Sequence, residues 1–212
     1  MISTQKEKKD FLVPKISIQT LVSQGKNCEI LRELADQVSQ FAHINLPTFI
    51  YGGYGVGKRT IARLLHTESS LSEWIEIDIT NETVIKYVAQ VIEKILEKNS
   101  YTIYIPNIEK LPIPLQEQLC KIISENETSK SRIIVSSREN IFFSLQKNAI
   151  TPDFFTLFSS LPIELPTIEA SFEYRKAIVK WYSEFFNKKI PTELPSLWPE
   201  NIRSVRTFIE EQ

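Results

Sequence analysis

Four of the chain's five glycines, Gly52, Gly53, Gly55 and Gly57, fall in one six-residue stretch, and Lys58 follows directly. At ordinary usage of about 7%, a chain of this length would carry roughly fifteen glycines, so the cluster marks an unusual backbone. The run G-G-Y-G-V-G-K-R over 52–59 fits the spacing G-x-x-x-x-G-K. Small residues let successive backbone N–H groups close round phosphate oxygens. A helix N-terminus then aims its partial positive charge at them, and the lysine reaches the outer phosphates. Arg59 stands where Ser or Thr usually holds Mg2+, and Thr60 comes one position late. A plain strand-to-helix turn needs one or two glycines and no lysine. The stretch from Gly52 to Thr60, with Tyr54 and Val56 inside it, is therefore read as a nucleotide-binding loop. The rival is a retained loop that no longer binds nucleotide.

Little else in the chain offers catalytic chemistry. His43 and His66 are the only histidines, and Cys28 and Cys120 are isolated thiols, so neither a metal site nor a disulfide framework is expected. Glu109 and Lys110 read as a solvated turn before LPIPLQ.

The elements that must position the loop alternate. NCEILRELADQVSQFA (27–42) has helical spacing, with Asn27 as its expected N-cap. LPTFIY (46–51) is an apolar strand running into the glycines, and GKRTIARLLHTE (57–68) is a helix leaving them. WIEIDI (74–79), YTIYI (101–105), RIIVSS (132–137) and PIEL (162–165) supply four more strands. A helix striped by Val84, Val88, Ile92 and Ile95 and another over 112–123 separate them. Strands alternating with helices predict a parallel sheet covered on both faces. After Pro166 only helical patterning remains, from Ile168 to Phe186 and again to the end.

Composition narrows the classes. Hydrophobic residues make up 42%, charged residues 24%, and the net charge is -1, values ordinary for a soluble domain. No apolar run approaches the roughly 18 residues of a membrane span, and MISTQKEKKDF has no signal-peptide core, so a cytoplasmic protein without a membrane role is expected. Neutral charge argues against extensive duplex-DNA binding.

The motifs together resemble the AAA+ domain of bacterial sigma-54-dependent transcriptional activators, over nearly all of residues 21–212. LVSQGKNCEILRELADQV is similar to that family's opening segment and first helix, with Ser23 where glycine is usual. IARLLH after the loop resembles its A-R-x-I-H, and LPIPLQEQLCKII (111–123) its L-P-x-x-x-Q-x-x-L-L-x-x-L helix. LPIELPTI (161–168) resembles F-P-I-x-L-P-P-L, and LWPENIRSVRTFIE (197–210) resembles W-P-G-N-V-R-E-L-x-N-x-I-E of the lid helix. The resemblance implies an α/β P-loop AAA+ fold with a five-stranded parallel sheet flanked by helices, plus a small C-terminal helical lid. It divides the chain into an N-terminal tail (1–20), a nucleotide-binding domain (21–167) and a lid (168–212). ATP or ADP is the implied ligand.

The same resemblance implies losses. Pro106 and Asn107 occupy the positions of the Asp–Glu pair that holds Mg2+ and polarises the attacking water. Proline offers no ligand and an amide is no general base. Thr151 and Leu157 fall at the two arginine-finger positions, Asp78 replaces an Asn, and Arg138 stands at a sensor position usually held by Asn. The family's loop after the lysine usually continues with Glu, so Arg59 also departs in charge. The G-A-F-T-G-A loop that contacts sigma-54 has no counterpart between Thr80 and Ser100. Lys58 and the lid arginine, Arg203, remain. No catalytic residue and no metal ligand are therefore assigned, and Mg2+ is left open, with Asp78 a weak candidate.

Three readings follow. The first is a regulatory, transcription-related module that binds ATP or ADP without hydrolysing it. The second is a protein–protein interaction module without nucleotide, and the third an active sigma-54 activator ATPase. The expected partner is a protein, either an intact activator or another transcription component. Ring assembly is not expected, because Thr151 and Leu157 cannot reach a neighbour's phosphates as arginines would. The sequence ends directly after the lid-like segment, so direct DNA binding is not expected.

Overall fold

The computed structural model describes residues 16–98 and 100–212, leaving aside the side chains of Glu82 and Thr83. Most of the expected 1–20 tail thus lies outside the described residues. Helix α1 (Ile18–Gly25) already begins within that span, capped by Ser17, whose hydroxyl accepts from Thr20 N. Then come α2 (Glu29–Ala42), β1 (Thr48–Tyr51), α3 (Lys58–Glu68), β2 (Glu73–Glu76) and α4 (Glu82–Leu96). They are followed by β3 (Tyr101–Ile105), a 3-10 turn (Ile108–Lys110), α5 (Ile113–Glu125) and β4 (Arg132–Ser137). Helices α6 (Ile141–Gln146) and α7 (Pro152–Phe158), β5 (Pro162–Glu164), α8 (Phe172–Phe185) and α9 (Ile202–Glu210) complete the described chain.

The five strands form one parallel sheet in the order β2-β3-β4-β1-β5. Side chains alternate across a strand, so the sheet feeds two cores, one on each face. Ile50, Tyr104, Ile134 and Ile163 join a cluster with α1, α2, α3, α8 and α9. Phe49, Ile103, Ile105, Ile133 and Val135 join a second cluster with α4, α5 and α7. The buried residues of the C-terminal helices, Tyr174, Tyr182, Trp198 and Val205 among them, belong to the first cluster. The segment after Ile168 is thereby packed onto the same core as the loop's own Val56.

Four local expectations need correction. Cys28, not Asn27, is the N-cap of α2, with no side-chain cap, because the turn closed by Cys28 N on Gly25 O consumes the residues before it. β2 stops at Glu76 instead of Ile79. Its ladder closes with Ile77 N on Tyr104 O, the next donor would have to come from Pro106, just past β3, which has no N–H, and Asp78 turns the chain by accepting from Thr80 N and Oγ1. α8 starts at Phe172 instead of Ile168, since Ser171 Oγ accepts from Tyr174 N and caps it there. The sequence reading also passed over α6 and α7. Both are only six or seven residues long, too short for a clear helical period.

Candidate nucleotide-binding site

β1 delivers the glycine loop to the carboxyl edge of the sheet, where open α/β folds gather their ligands. Three backbone positions there, Gly52 at φ 147 among them, admit only glycine without strain. Gly57, at φ 97, caps α3 in the left-handed conformation. Gly55, at φ 74, lies so close to the lid that an added Cβ would stand 1.9 Å from the Glu200 carbonyl oxygen. Lys58 opens α3 and turns back over the loop, donating to Gly52 O at 2.6 Å and Gly53 O at 2.7 Å. Val56 is anchored in the core beneath.

Two residues of the C-terminal helical segment, Asn201 and Arg203, hold this loop, and Arg138 joins them from the end of β4. Asn201 Nδ2 donates to Tyr54 O at 2.8 Å, while its Oδ1 accepts from Ile168 N at 3.2 Å. Arg203 donates to the Tyr54 hydroxyl, and its guanidinium carbon sits 4.8 Å from the centre of that ring. Arg138 approaches the same ring at 5.4 Å. Its place follows from strand register: Tyr51 pairs with Ser137, so the residue after β4 emerges beside the first residues of the loop. Tyr54 thus gathers two arginines at the mouth of the loop.

Burial pulls the Lys58 ammonium down to about 8, with the Glu109 carboxylate opposing the shift and Arg138 adding to it. Glu109 is more than a solvated turn residue, since its Oε2 is buried and has no hydrogen-bond partner. Arg59 points elsewhere: its guanidinium meets the Glu76 carboxylate on β2 at 2.6 Å. Burial raises the Glu76 carboxyl, and the Arg59 charge works against that rise. Thr60 lines a small, mostly apolar cleft beside the loop. Leu21 of α1, Ile61 of α3, and Tyr174, Ile178 and Trp181 of α8 form its walls. Its lining is mostly apolar, as the linings of small-molecule sites tend to be.

The residues that the sequence resemblance sets at catalytic positions serve the fold. Pro106 ends β3, and Asn107 turns the chain at φ 56 into the 3-10 turn. Thr151 is buried, caps α7 by accepting from Phe154 N, and gives its own N–H to Gln116 Oε1. Leu157 packs against the second core. Asp78 spends one carboxylate oxygen on Thr80, whose hydrogen bonds hold its carboxyl below the usual range. His66 bonds the Thr102 hydroxyl through Nδ1. Mg2+ asks for several oxygen donors in octahedral array. Here Arg59 is tied to Glu76, Thr60 faces the cleft, and Pro106 and Asn107 bring no carboxylate. Among the described residues no group of three or more His, Cys, Asp or Glu could hold a metal ion. The donor set does not fit Mg2+.

Sequence reasoning singled out the loop and Arg203 but missed the tie through Asn201, the ring of Tyr54 as a meeting point, and the cleft. The W-P-x-N-x-R run was the available signal for Asn201. The cleft had none, because its walls come from widely separated helices.

A "response regulator NtrX-like" protein of Rickettsia typhi is 24% identical over an alignment of 219 positions, covering 86% of this chain and 46% of that protein. The chain thus spans about half the length of the curated relatives it matches. NtrX from Brucella abortus, crystallised with ADP, superposes with a TM-score of 0.69 at 18% identity, covering 91% of this chain and 52% of that one. AMPPCP-bound DnaA from Aquifex aeolicus gives a TM-score of 0.63 at 17% identity, covering 95% and 66%. These likenesses extend the P-loop AAA+ architecture over the described fold. Residues 26–168 match the model of the sigma-54 interaction domain, and the chain belongs to that family.

Proposed function

We propose that this chain is a regulatory AAA+ module that binds ATP or ADP at residues 52–60 and Arg203 and does not hydrolyse it. The observation that carries the reading is the loop itself: left-handed glycines at 55 and 57, Lys58 at the head of α3, and the lid held against Tyr54. The adjoining apolar cleft supports a nucleoside in place of free phosphate, as does the nucleotide in the crystals of NtrX and DnaA. Loss of hydrolysis is supported by chemistry. Hydrolysis needs a base for water and a cation on the transferred phosphoryl group. Pro106, Asn107, Thr151 and Leu157 provide neither. Occupancy would act on the lid, residues 168–212, which the nucleotide-binding part, residues 21–167, meets at Tyr54 and Gly55. The output would be a contact in the cytoplasm with another protein, an intact activator or another transcription component. It needs no ring, because no finger has to reach a neighbour, and no direct contact with DNA.

Thermal melting with ATP or ADP tests the reading. A ligand at 100 times its dissociation constant adds about 2.7 kcal/mol, an easily read upward shift. A shift that Lys58→Ala abolishes, without phosphate release, supports it. Absence of any shift would favour an interaction module without nucleotide, and turnover lost in Lys58→Ala would mark an active ATPase.

A further inference from the structure

The loop gathers more fixed positive charge than its sequence motif requires, and it does so where a metal ion's donors are missing. Lys58 lies over Gly52 and Gly53, Arg203 touches the Tyr54 hydroxyl, and Arg138 reaches the same ring from the end of β4. Arg59 is neutralised by Glu76, which leaves Glu109 as the nearby carboxylate that acts on Lys58. A polyphosphate brought to the loop would meet three cations. The position after the lysine, where other loops of this type place a hydroxyl for Mg2+, carries a guanidinium instead.

We propose that this site takes a nucleoside di- or triphosphate without a divalent cation, with Arg138 supplying the positive charge that a metal ion would otherwise bring to the outer phosphates. The inference rests on the nucleotide-binding reading above and adds the ionic form of the ligand. Arg138 is suited to the task on four counts. The Tyr51–Ser137 register fixes its backbone one residue beyond the pair that starts the loop. Its side chain is exposed and, among the described contacts, leans on the Tyr54 ring face. That contact is worth about 1 kcal/mol or less at an exposed site, so a phosphate can displace it. A guanidinium also stays charged at any working pH and offers two parallel N–H donors to phosphate oxygens. Its charge already bears on Lys58, lowering that ammonium's affinity for its proton, which places both cations in one electrostatic field.

Equilibrium binding of ADP and ATP to the full chain is measured in millimolar Mg2+ and again in excess EDTA, for wild type, Arg138→Gln, Arg138→Lys and Glu109→Gln. Unaltered melting of each ligand-free variant establishes that it folds. Wild type is expected to bind equally well, within about threefold, in both buffers. Arg138→Gln is expected to bind about tenfold more weakly in both, a loss of about 1.4 kcal/mol. Arg138→Lys should recover part of that loss. Wild-type binding that requires Mg2+ overturns the proposal while leaving nucleotide binding intact. If Glu109→Gln then abolishes the metal's effect, its buried carboxylate is the metal ligand. EDTA-resistant binding that Arg138→Gln leaves unchanged removes Arg138 from the site. Failure to bind in either buffer overturns the nucleotide reading itself.

Discussion

Raising the pH from 7 to 9 is expected to weaken the chain's hold on ADP about tenfold, and Lys58 is the cause. Its ammonium is drawn down to about 8 chiefly by burial, so it is charged at pH 7 and largely neutral at pH 9. In the ligand-free loop it donates to Gly52 O and Gly53 O, contacts that a neutral amine keeps only in part. A phosphate needs the charged form. Its own negative charge raises the ammonium's proton affinity in the complex, so binding above pH 8 must take up a proton. The apparent dissociation constant then grows with the neutral fraction, slightly at pH 7 and about elevenfold at pH 9. Calorimetry in buffers of differing ionisation enthalpy would read both the affinity and the proton taken up. Lys58→Arg keeps its charge across this range, so its profile should be flat. A flat wild-type profile, or the same slope in Lys58→Arg, would refute the assignment of the pH dependence to Lys58.

Three further outcomes follow from the geometry. Gly55→Ala should lower stability by more than about 2 kcal/mol and impair ligand binding, because a left-handed residue gains a Cβ that meets the Glu200 carbonyl at 1.9 Å; urea unfolding would show it, and a wild-type midpoint would exclude the close approach. Tyr54→Leu removes the ring and hydroxyl that hold Arg203, which should cost about 1–2 kcal/mol and lower the melting temperature by about 2–8 °C. Arg59→Thr restores a hydroxyl after the lysine but strips Glu76 of its counter-charge. Burial has already raised the Glu76 carboxyl, and without Arg59 it rises further, so the folded state keeps its stability at acid pH and loses it as pH climbs through that raised value. Melting at pH 5 and pH 8 should therefore show the larger deficit at pH 8; an equal deficit at both would refute it.

Most of the sheet was legible along the chain because its signals are local. YTIYI and RIIVSS became β3 and β4 residue for residue, since apolar, β-branched runs bounded by breakers carry their own strand preference. The glycine spacing and Lys58 likewise announced the loop, and Pro106 and Asn107 announced a β3 end without acids. Strand ends were less legible. β2 stops where Pro106 can no longer continue the ladder on its neighbour, a fact about pairing and not about WIEIDI.

What surrounds the loop was settled by contacts between distant segments, which no short window of sequence encodes. Arg138 stands beside residues more than eighty positions earlier only because β4 is β1's neighbour in the sheet, with Ser137 opposite Tyr51. Asn201 reaches Tyr54 and Ile168 only because α8 and α9 fold back onto the core of α2 and α3. Arg59, directly after Lys58, is committed to Glu76 by the side of the helix on which it emerges. The amino-acid order supplied the glycine loop with Lys58 and set Pro106 and Asn107 directly after β3. Packing decided which charges meet at the loop, because electrostatic interactions depend on distance in space, and strand order with lid closure sets that distance.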